Sequence, residues 1–378
     1  MPLAGALDGL VIADFSRVLA GPYATMLLAD LGATVVKVET PIGDETRRWG
    51  PPWATDGVST YYLSVNRNKH SIALDLRTEE GLADAVAIAT KADVFVENFR
   101  AGSLDRMGLG YEALRAHNPG LVYCSITGFG AASRLPGYDA VAQAVSGLMS
   151  VTGPADEPSK VGVAMSDVTT GMHAAIGILA AIRHRDRTGE GQHLRLSLLS
   201  STLSALVNAG NAYTETGESP RSMGNRHPSL CPYQPFETAD RPLVIACGND
   251  AQFGALCTCL GVPELAADPR FAHNAYRVAH RDELTGLLGE RLAAKGADEW
   301  ETLLGDASVP CGPVNDIGGG LTLATALGLA PVVQVGSRSQ VASPFQLSAT
   351  PPTYRTPPPD VDEHGDAVRH WLTGGELT

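Results

Sequence analysis

Short apolar runs along this chain alternate with longer stretches of helical spacing. Leu10-Val11-Ile12-Ala13-Asp14-Phe15 reads as a buried strand, Ser16 to Pro22 as a turn, and Tyr23 to Leu31 as a helix that Pro22 is placed to start. Gly32 closes this helix and Thr34-Val35-Val36-Lys37-Val38-Glu39 is a β-branched strand, so the unit is β-α-β and its strands run parallel. The alternation then repeats. Strands are predicted at Ser71–Leu76, Ala92–Glu97, Leu121–Ile126 and Leu194–Leu198. Helices are predicted at Thr78–Thr90 with Thr78 as N-cap, Tyr111–His117, Tyr138–Met149 and Ser200–Tyr213. Such a pattern specifies a doubly wound, Rossmann-like α/β sheet, and ligands of these sheets sit beyond the carboxyl ends of the strands. Those ends are Ser16-Arg17, Glu39-Thr40, Asp75-Leu76-Arg77, Glu97-Asn98-Phe99 and Thr127-Gly128.

The alternation is interrupted twice. Residues 40–70 are loop-rich and hold Arg47-Arg48-Trp49, Trp53 and Tyr61-Tyr62, a composition typical of a binding surface or an interface. Residues 217–232 collect Gly217, Pro220, Gly224, Asn225, Pro228 and Pro232, and read as a linker. The expected organisation is a large α/β domain over 1–216, the linker, a smaller α+β domain over 233–325, and a Pro-rich, mostly extended segment over 326–378 returning to the large domain.

Composition narrows the function. The 378 residues carry a net charge of −13, which argues against general binding to nucleic acid or to an anionic membrane. An anionic ligand would need locally clustered basic residues. The six cysteines are scattered without CxxC spacing, the pattern of a reduced, cytoplasmic protein. No apolar run reads as a membrane span, and Met1-Pro2-Leu3-Ala4-Gly5 lacks the basic and long apolar regions of a signal peptide. G-x-G-x-x-G is absent, so a nicotinamide dehydrogenase is disfavoured, and no HExxH or paired Cys/His spacing points to a metal.

One acidic residue stands apart. Asp167 is the only charged side chain between Lys160 and Arg183, just before a small-residue helix. A lone carboxylate in apolar company must be paired, capped, neutral or used. One reading is a helix N-cap; the other is a nucleophile at a helix N-terminus.

Several stretches in order resemble the family III coenzyme A transferases, the CaiB/BaiF group. They are Asp14-Phe15-Ser16-Arg17-Val18-Leu19-Ala20-Gly21-Pro22 with Lys37-Val38-Glu39, Asn66-Arg67-Asn68-Lys69 with Leu74-Asp75-Leu76, and Val94-Phe95-Val96-Glu97-Asn98-Phe99-Arg100 with Leu104-Asp105-Arg106-Met107-Gly108. Gly137-Tyr138-Asp139, Asp167 and Val309-Pro310-Cys311-Gly312-Pro313-Val314-Asn315 complete the set. The resemblance implies an interlocked homodimer acting on acyl-coenzyme A and carboxylic acid substrates, with no tightly bound cofactor. It places Asp167 as the nucleophile, passing through a mixed anhydride and an aspartyl-coenzyme A thioester. It places Leu74, Asp75, Leu76 and Arg77 along the nucleotide, Asn98, Phe99 and Arg100 on the next strand end, Arg106 on a phosphate, and Leu19 and Ala20 near the thioester. Asp139 and Trp49 match positions near the active site, with a helix cap as the competing reading for Asp139. Two departures stand out: Thr40 replaces the usual basic residue, and Asp362-Glu363-His364-Gly365 replaces Gly-Glu-His-Thr.

Two other functions compete. A 2-methylacyl-coenzyme A racemase of the same fold would use a His/Asp pair, but Tyr138 occupies the histidine's place, and a phenol is a poor base. A non-catalytic acyl-coenzyme A-binding protein would not need Asp167.

Overall fold

A computed structural model describes residues 5–133 and 135–377. The run Met1–Ala4, read above for a leader, lies outside the described residues. The chain divides into two compact units, one of 1–148, 160–219 and 328–378, the other of 149–159 and 220–327. Residues 149–159, read along the sequence as part of the large domain, group with the second unit.

The first unit is built on β1 (Val11–Asp14), α1 (Ala20–Asp30), β2 (Thr34–Glu39), α2 (Thr60–Leu63), β3 (Lys69–Ala73), α3 (Glu79–Lys91), β4 (Val94–Glu97), α4 (Tyr111–His117), β5 (Val122–Thr127), α5 (Asp139–Val145), α6 (Met165–Thr188) and β6 (His193–Ser197). Two further helices, α7 (Leu198–Ala205) and α8 (Val207–Thr216), replace the single helix expected after β6. The six strands are all parallel in the order β3-β2-β1-β4-β5-β6. Strand order reverses between β1 and β4, and that crevice is where such sheets bind ligands.

The sheet has apolar layers on both faces. One holds Ile12, Val35, Val94 and Val122 against Ala24, Leu28 and Ile178 of the α1 and α6 helices. The other holds Phe15, Val36, Phe95 and Tyr123 against Ile88 and Leu114, with Val368 and Trp371. Those last two residues belong to a helix, Gly365–Leu372, inside the tail expected to be extended. The apolar 24-residue α6 has the length and composition of a membrane span, and half of that window is buried in the protein.

The Asn66-Arg67-Asn68-Lys69 motif is structural. The Arg67 guanidinium and the Asn68 amide converge on buried Asp30 at the end of α1, at 2.6 and 2.8 Å. Arg67 also donates to the Val341 carbonyl, and Asn68 Oδ1 accepts from Arg355 N–H, so the motif fastens the returning tail. The departing residues Asp362 and His364 cap the open edge of β3: Asp362 Oδ1 accepts from Ala73 N–H and His364 N–H donates to the Ser71 carbonyl. An edge covered in this way is closed to further strand pairing.

In the second unit, β7 (Tyr233–Phe236), β8 (Leu243–Ala246) and β9 (Cys311–Pro313) form an antiparallel sheet. Phe236, Leu243 and Ile245 share a core with Phe253, Leu256, Leu288 and Trp300 from the helices.

Candidate functional site

A buried charge cluster lies beside the strand-order reversal. Asp14 at the end of β1, Lys37 within β2 and Lys69 at the start of β3 are all fully buried. Lys69 Nζ lies 3.0 Å from Asp14 Oδ2, and Lys37 Nζ lies 3.1 Å from Asp44 Oδ2. Burial pushes the Asp14 carboxyl up, but Lys69, Lys37 and the hydroxyls of Ser16 and Thr25 together hold it down at about 2. Burial pulls the Lys69 ammonium down to about 8, so it stays charged at neutral pH.

This cluster, Asp44 and Asn98 of the β4 end together fix the loop after β1 one residue at a time. Ser16 N–H donates to Asp14 Oδ1, and the Ser16 carbonyl accepts from Lys37 Nζ. Arg17 N–H donates to Asn98 Oδ1 at 2.9 Å, and the Arg17 carbonyl accepts from Asn98 Nδ2 at 2.7 Å. Val18 N–H donates to Asp44 Oδ2 at 3.3 Å. Val18 has φ of +69°, a conformation that costs a β-branched residue free energy and persists where its surroundings dictate it. The side-chain amide of Asn98 therefore joins β4 to this loop across the crevice.

Two cavities open on either side of the loop. The first, about 360 Å³, is lined by Arg17, Leu19, Ala20, Asn98, Phe99, Arg100, Tyr138 and Asp167, among others. The second, about 410 Å³, lies over β2 and β3 and includes Thr40, Leu74, Asp75, Leu76, Arg77 and Met107 in its lining. Arg17 and Phe99 line both, with the guanidinium 5.5 Å from the ring centre. The strand expected at Ser71–Leu76 ends at Ala73, which leaves Leu74–Arg77 past the sheet edge as cavity wall. Arg77 is exposed and bonded to Asp75. Arg106 is exposed beside Ser103 and is not among the residues lining either cavity.

Asp167 is not the N-cap. The cap position of α6 is Ala164, and Asp167 is the third residue of the helix. The capping carboxylate is Asp139, whose Oδ1 accepts from Ser166 N–H at 2.8 Å and from Asp167 N–H at 3.3 Å. Asp139 opens α5 yet caps α6, an arrangement that sequence-local capping rules do not register. Gln143 one turn later donates to Asp139 Oδ2 and holds it in place. Two close approaches seat this corner. Gly128 and Gly137 lie so near that a Cβ on Gly128 would stand 2.4 Å from the Gly137 Cα. A Cβ on Gly171, one turn beyond Asp167, would stand 2.7 Å from the Ala20 carbonyl oxygen.

With its capping role taken by Asp139, the Asp167 carboxylate accepts no hydrogen bond from the described residues. It is 9% exposed and lines the first cavity. Burial, and then the neighbouring Asp139 carboxylate, push its carboxyl from 3.8 up to about 7. Tyr61, packed against the cluster of Leu19, Met26 and Val65 with Val168, closes this region. Burial and the Asp167 charge push its phenol up to about 12, so it is neutral at physiological pH. Along the sequence Tyr61 stands only as part of the 40–70 stretch read as a binding surface; its place against the Leu19, Met26 and Val65 cluster is set by tertiary packing.

The site thus joins a divided crevice, with Arg17 and Arg100 on its walls, to the buried Asp167 carboxylate, which accepts from none of the described residues. The comparisons give the chain a family. Residues 7–365 match the model of CoA-transferase family III, and the chain belongs to that family and is a CoA-transferase. It is 40% identical to the acetyl-CoA:oxalate CoA-transferase of Acetobacter aceti, over 97% of this chain and 95% of that one. It is 41% identical to the succinate–glutarate CoA-transferase of Agrobacterium fabrum, over 95% and 93% of the two chains. The crystal structure of a CAIB/BAIF family protein from Brucella suis superposes with a TM-score of 0.89 at 42% identity, covering 98% of this chain and all of that one. These relatives speak for transfer, against the racemase and non-catalytic alternatives.

Proposed function

We propose that this enzyme moves coenzyme A from an acyl-CoA donor to a carboxylic acid through covalent intermediates on Asp167. The observation that carries the reading is the buried, unpartnered Asp167 carboxylate facing the first cavity. Its oxygen attacks the thioester carbonyl, giving an aspartyl–acyl anhydride and coenzyme A thiolate. The thiolate attacks the aspartyl carbonyl of the anhydride, releasing the donor acid and leaving an aspartyl-CoA thioester. The acceptor carboxylate attacks that thioester, reforming an anhydride and thiolate. Attack of the thiolate on the new acyl carbonyl yields the product thioester and restores Asp167. Each step exchanges one acyl bond for another, the logic of nucleophilic catalysis. Hydroxylamine added during turnover should leave a hydroxamate on Asp167. Its absence across donors that support exchange would overturn the covalent reading.

The second cavity is assigned to the nucleotide, along Leu74, Asp75, Leu76 and Arg77, and the first to the thioester end, with Leu19, Ala20, Asn98, Phe99 and Arg100. Arg17 between them and exposed Arg106 nearby are assigned to phosphates, for which a guanidinium fork is suited. Asp139 is assigned a positioning role at Asp167 through the helix cap. Since nucleophilic attack needs the ionised carboxylate, kcat/KM should rise with pH through about 7. Asp139→Asn removes the second of the two causes of that high value, so its inflection should fall below the wild-type one. An unmoved inflection would assign the whole shift to burial.

The acceptor is assigned as a dicarboxylic acid, on the strength of relatives named for oxalate, succinate and glutarate. The working unit is proposed to be an interlocked homodimer acting in the cytoplasm. Support for the dimer comes from apolar side chains left in the open. The helix Ile317–Ala326 has no buried residue, with Ile317 at 85% exposure. Exposure of this kind on an apolar helix marks an interface. Mass photometry at nanomolar concentration should show only dimer, and a folded monomer would overturn the assignment.

A further inference from the structure

A third recess, formed by the loop-rich stretch after β2, has no part in the assignments above. It is lined by Arg48, Trp49, Gly50, Pro51, Pro52, Thr60 and Tyr61 and measures about 440 Å³. Tyr61 is on its wall. Its ring is in edge contact with Trp49, with centres 5.2 Å apart, and it packs against the small cluster of Leu19, Met26 and Val65, as does Val168, the residue after Asp167; Leu19 in turn lines the first cavity.

The polar groups of the recess differ in their occupation. Thr60 Oγ1 donates to the Pro52 carbonyl. The adjacent Arg47 is used within the fold, bonded to Glu39, the Tyr62 hydroxyl and the Pro359 carbonyl. Arg67, Arg77 and Arg338 of the same unit are each paired with an aspartate. Arg48, an exposed side chain, and the Tyr61 hydroxyl have no hydrogen-bond or ion-pair partner among the described residues, as Arg100, Arg183 and Arg195 of the same unit have none, but Arg48 alone of these lines this recess. An arginine without a partner, on the wall of a recess with aromatic sides, is suited to a planar anion whose stem lies against the rings.

We propose that this recess is the subsite for the remote carboxylate of a dicarboxylic acid, with Arg48 as the residue that binds it. The inference rests on the transferase reading and deepens it. One carboxylate of the acid meets Asp167, the methylene stem passes the Tyr61 ring, and the second carboxylate meets the Arg48 guanidinium, with the Trp49 ring beside the stem. Arg48 takes no part in bond making. It selects diacids over monoacids and sets the preferred length.

The test compares diacids from malonate to adipate with their monomethyl esters as acceptors, using one acyl-CoA donor that the wild type accepts. The esters keep the reacting carboxylate and the chain length but remove the remote charge. For the wild type, the diacid of best length should have the lower KM. Arg48→Gln should raise the KM of that diacid by about tenfold or more, the loss expected for a charge-assisted hydrogen bond. It should leave the KM of the monomethyl ester and kcat for both acceptors within about twofold, by the same reasoning that confines the loss to one contact. Arg48→Lys, which retains the charge without the fork, should recover part of the difference. Equal KM changes for diacid and ester would mean a structural role and overturn the proposal, as would no change for either. Wild-type exchange with esters but no preference for diacids would overturn the subsite alone. Absence of exchange with any acid would overturn the transferase reading beneath it.

Discussion

Asp167→Asn is expected to lower CoA transfer by orders of magnitude while raising the stability of the folded chain. The amide is close to isosteric with the carboxylate but cannot open the thioester, so the acyl-enzyme never forms. The cap of α6 survives, because Asp139 supplies it. The stability gain follows from titration. The Asp167 carboxyl has an ordinary value of 3.8 and sits at about 7 in the fold, first from burial and then from Asp139. Between those values the folded state holds a proton that the unfolded chain has released, so stability falls as pH rises through the interval. Above it the charged carboxylate costs on the order of 4 kcal/mol relative to a neutral group. Asn carries no such cost. The melting temperature of the variant should therefore match wild type near pH 3.5 or below, and exceed it increasingly up to about pH 7. A variant with near-normal transfer would discard the covalent mechanism. One that is less stable than wild type at pH 8 would show that the carboxylate has stabilising partners after all. A site that holds a reactive charge against its own stability is a familiar compromise between activity and stability.

Asp14→Ala is expected to be the most damaging single change to the fold. It leaves Lys69 buried without its counterion and weakens the field at Lys37. It also removes the acceptor for Ser16 N–H and for the Thr25 hydroxyl. Breaking a buried pair from one side costs about 3–5 kcal/mol, because the remaining charge stays desolvated. Urea denaturation at pH 7 should show that loss, and a change below about 1 kcal/mol would show that water or rearrangement compensates. The wild-type cluster also predicts acid sensitivity. Asp14 sits at about 2 in the fold against 3.8 ordinarily. Its contribution, about 2 kcal/mol, is complete above the ordinary value and is lost as pH falls toward 2. The same substitution should lower kcat in whatever fraction folds, since Ser16 is fixed from this cluster and Val18 from its neighbour Asp44.

The two effects have opposite signs for one reason. Asp14 is surrounded by cations and donors, whereas Asp167 faces another carboxylate and an open cavity. Both are buried carboxylates in a β-α-β protein of acidic composition, and neither role depends on net charge.

The sequence by itself determined the sheet. The β-branched strands, the Thr78 cap and the glycine stops are local signals, and they placed β2, α3 and α4 to within a residue of their ends. It also singled out Asp167, because a lone charge in an apolar stretch is visible without coordinates. What the tertiary structure decided is what each charged residue does. Asp139 and Asp167 are 28 residues apart, and the fold, with Gly128 packed closely on Gly137, brings one carboxylate to the head of the other's helix. Asn98 reads as a strand-end ligand contact until the parallel neighbour β1 delivers the Arg17 backbone to its amide. Arg67, Asn68 and Lys69 form one motif, yet Arg67 and Asn68 hold Asp30 and Lys69 holds Asp14: Asn68 has φ of +61°, which breaks the extended alternation just before β3. Local pattern fixes the element, since backbone hydrogen bonds and apolar spacing are local. The use of a polar side chain is fixed by which charge or carbonyl the fold brings within about 3 Å of it, and that partner comes from elsewhere in the chain.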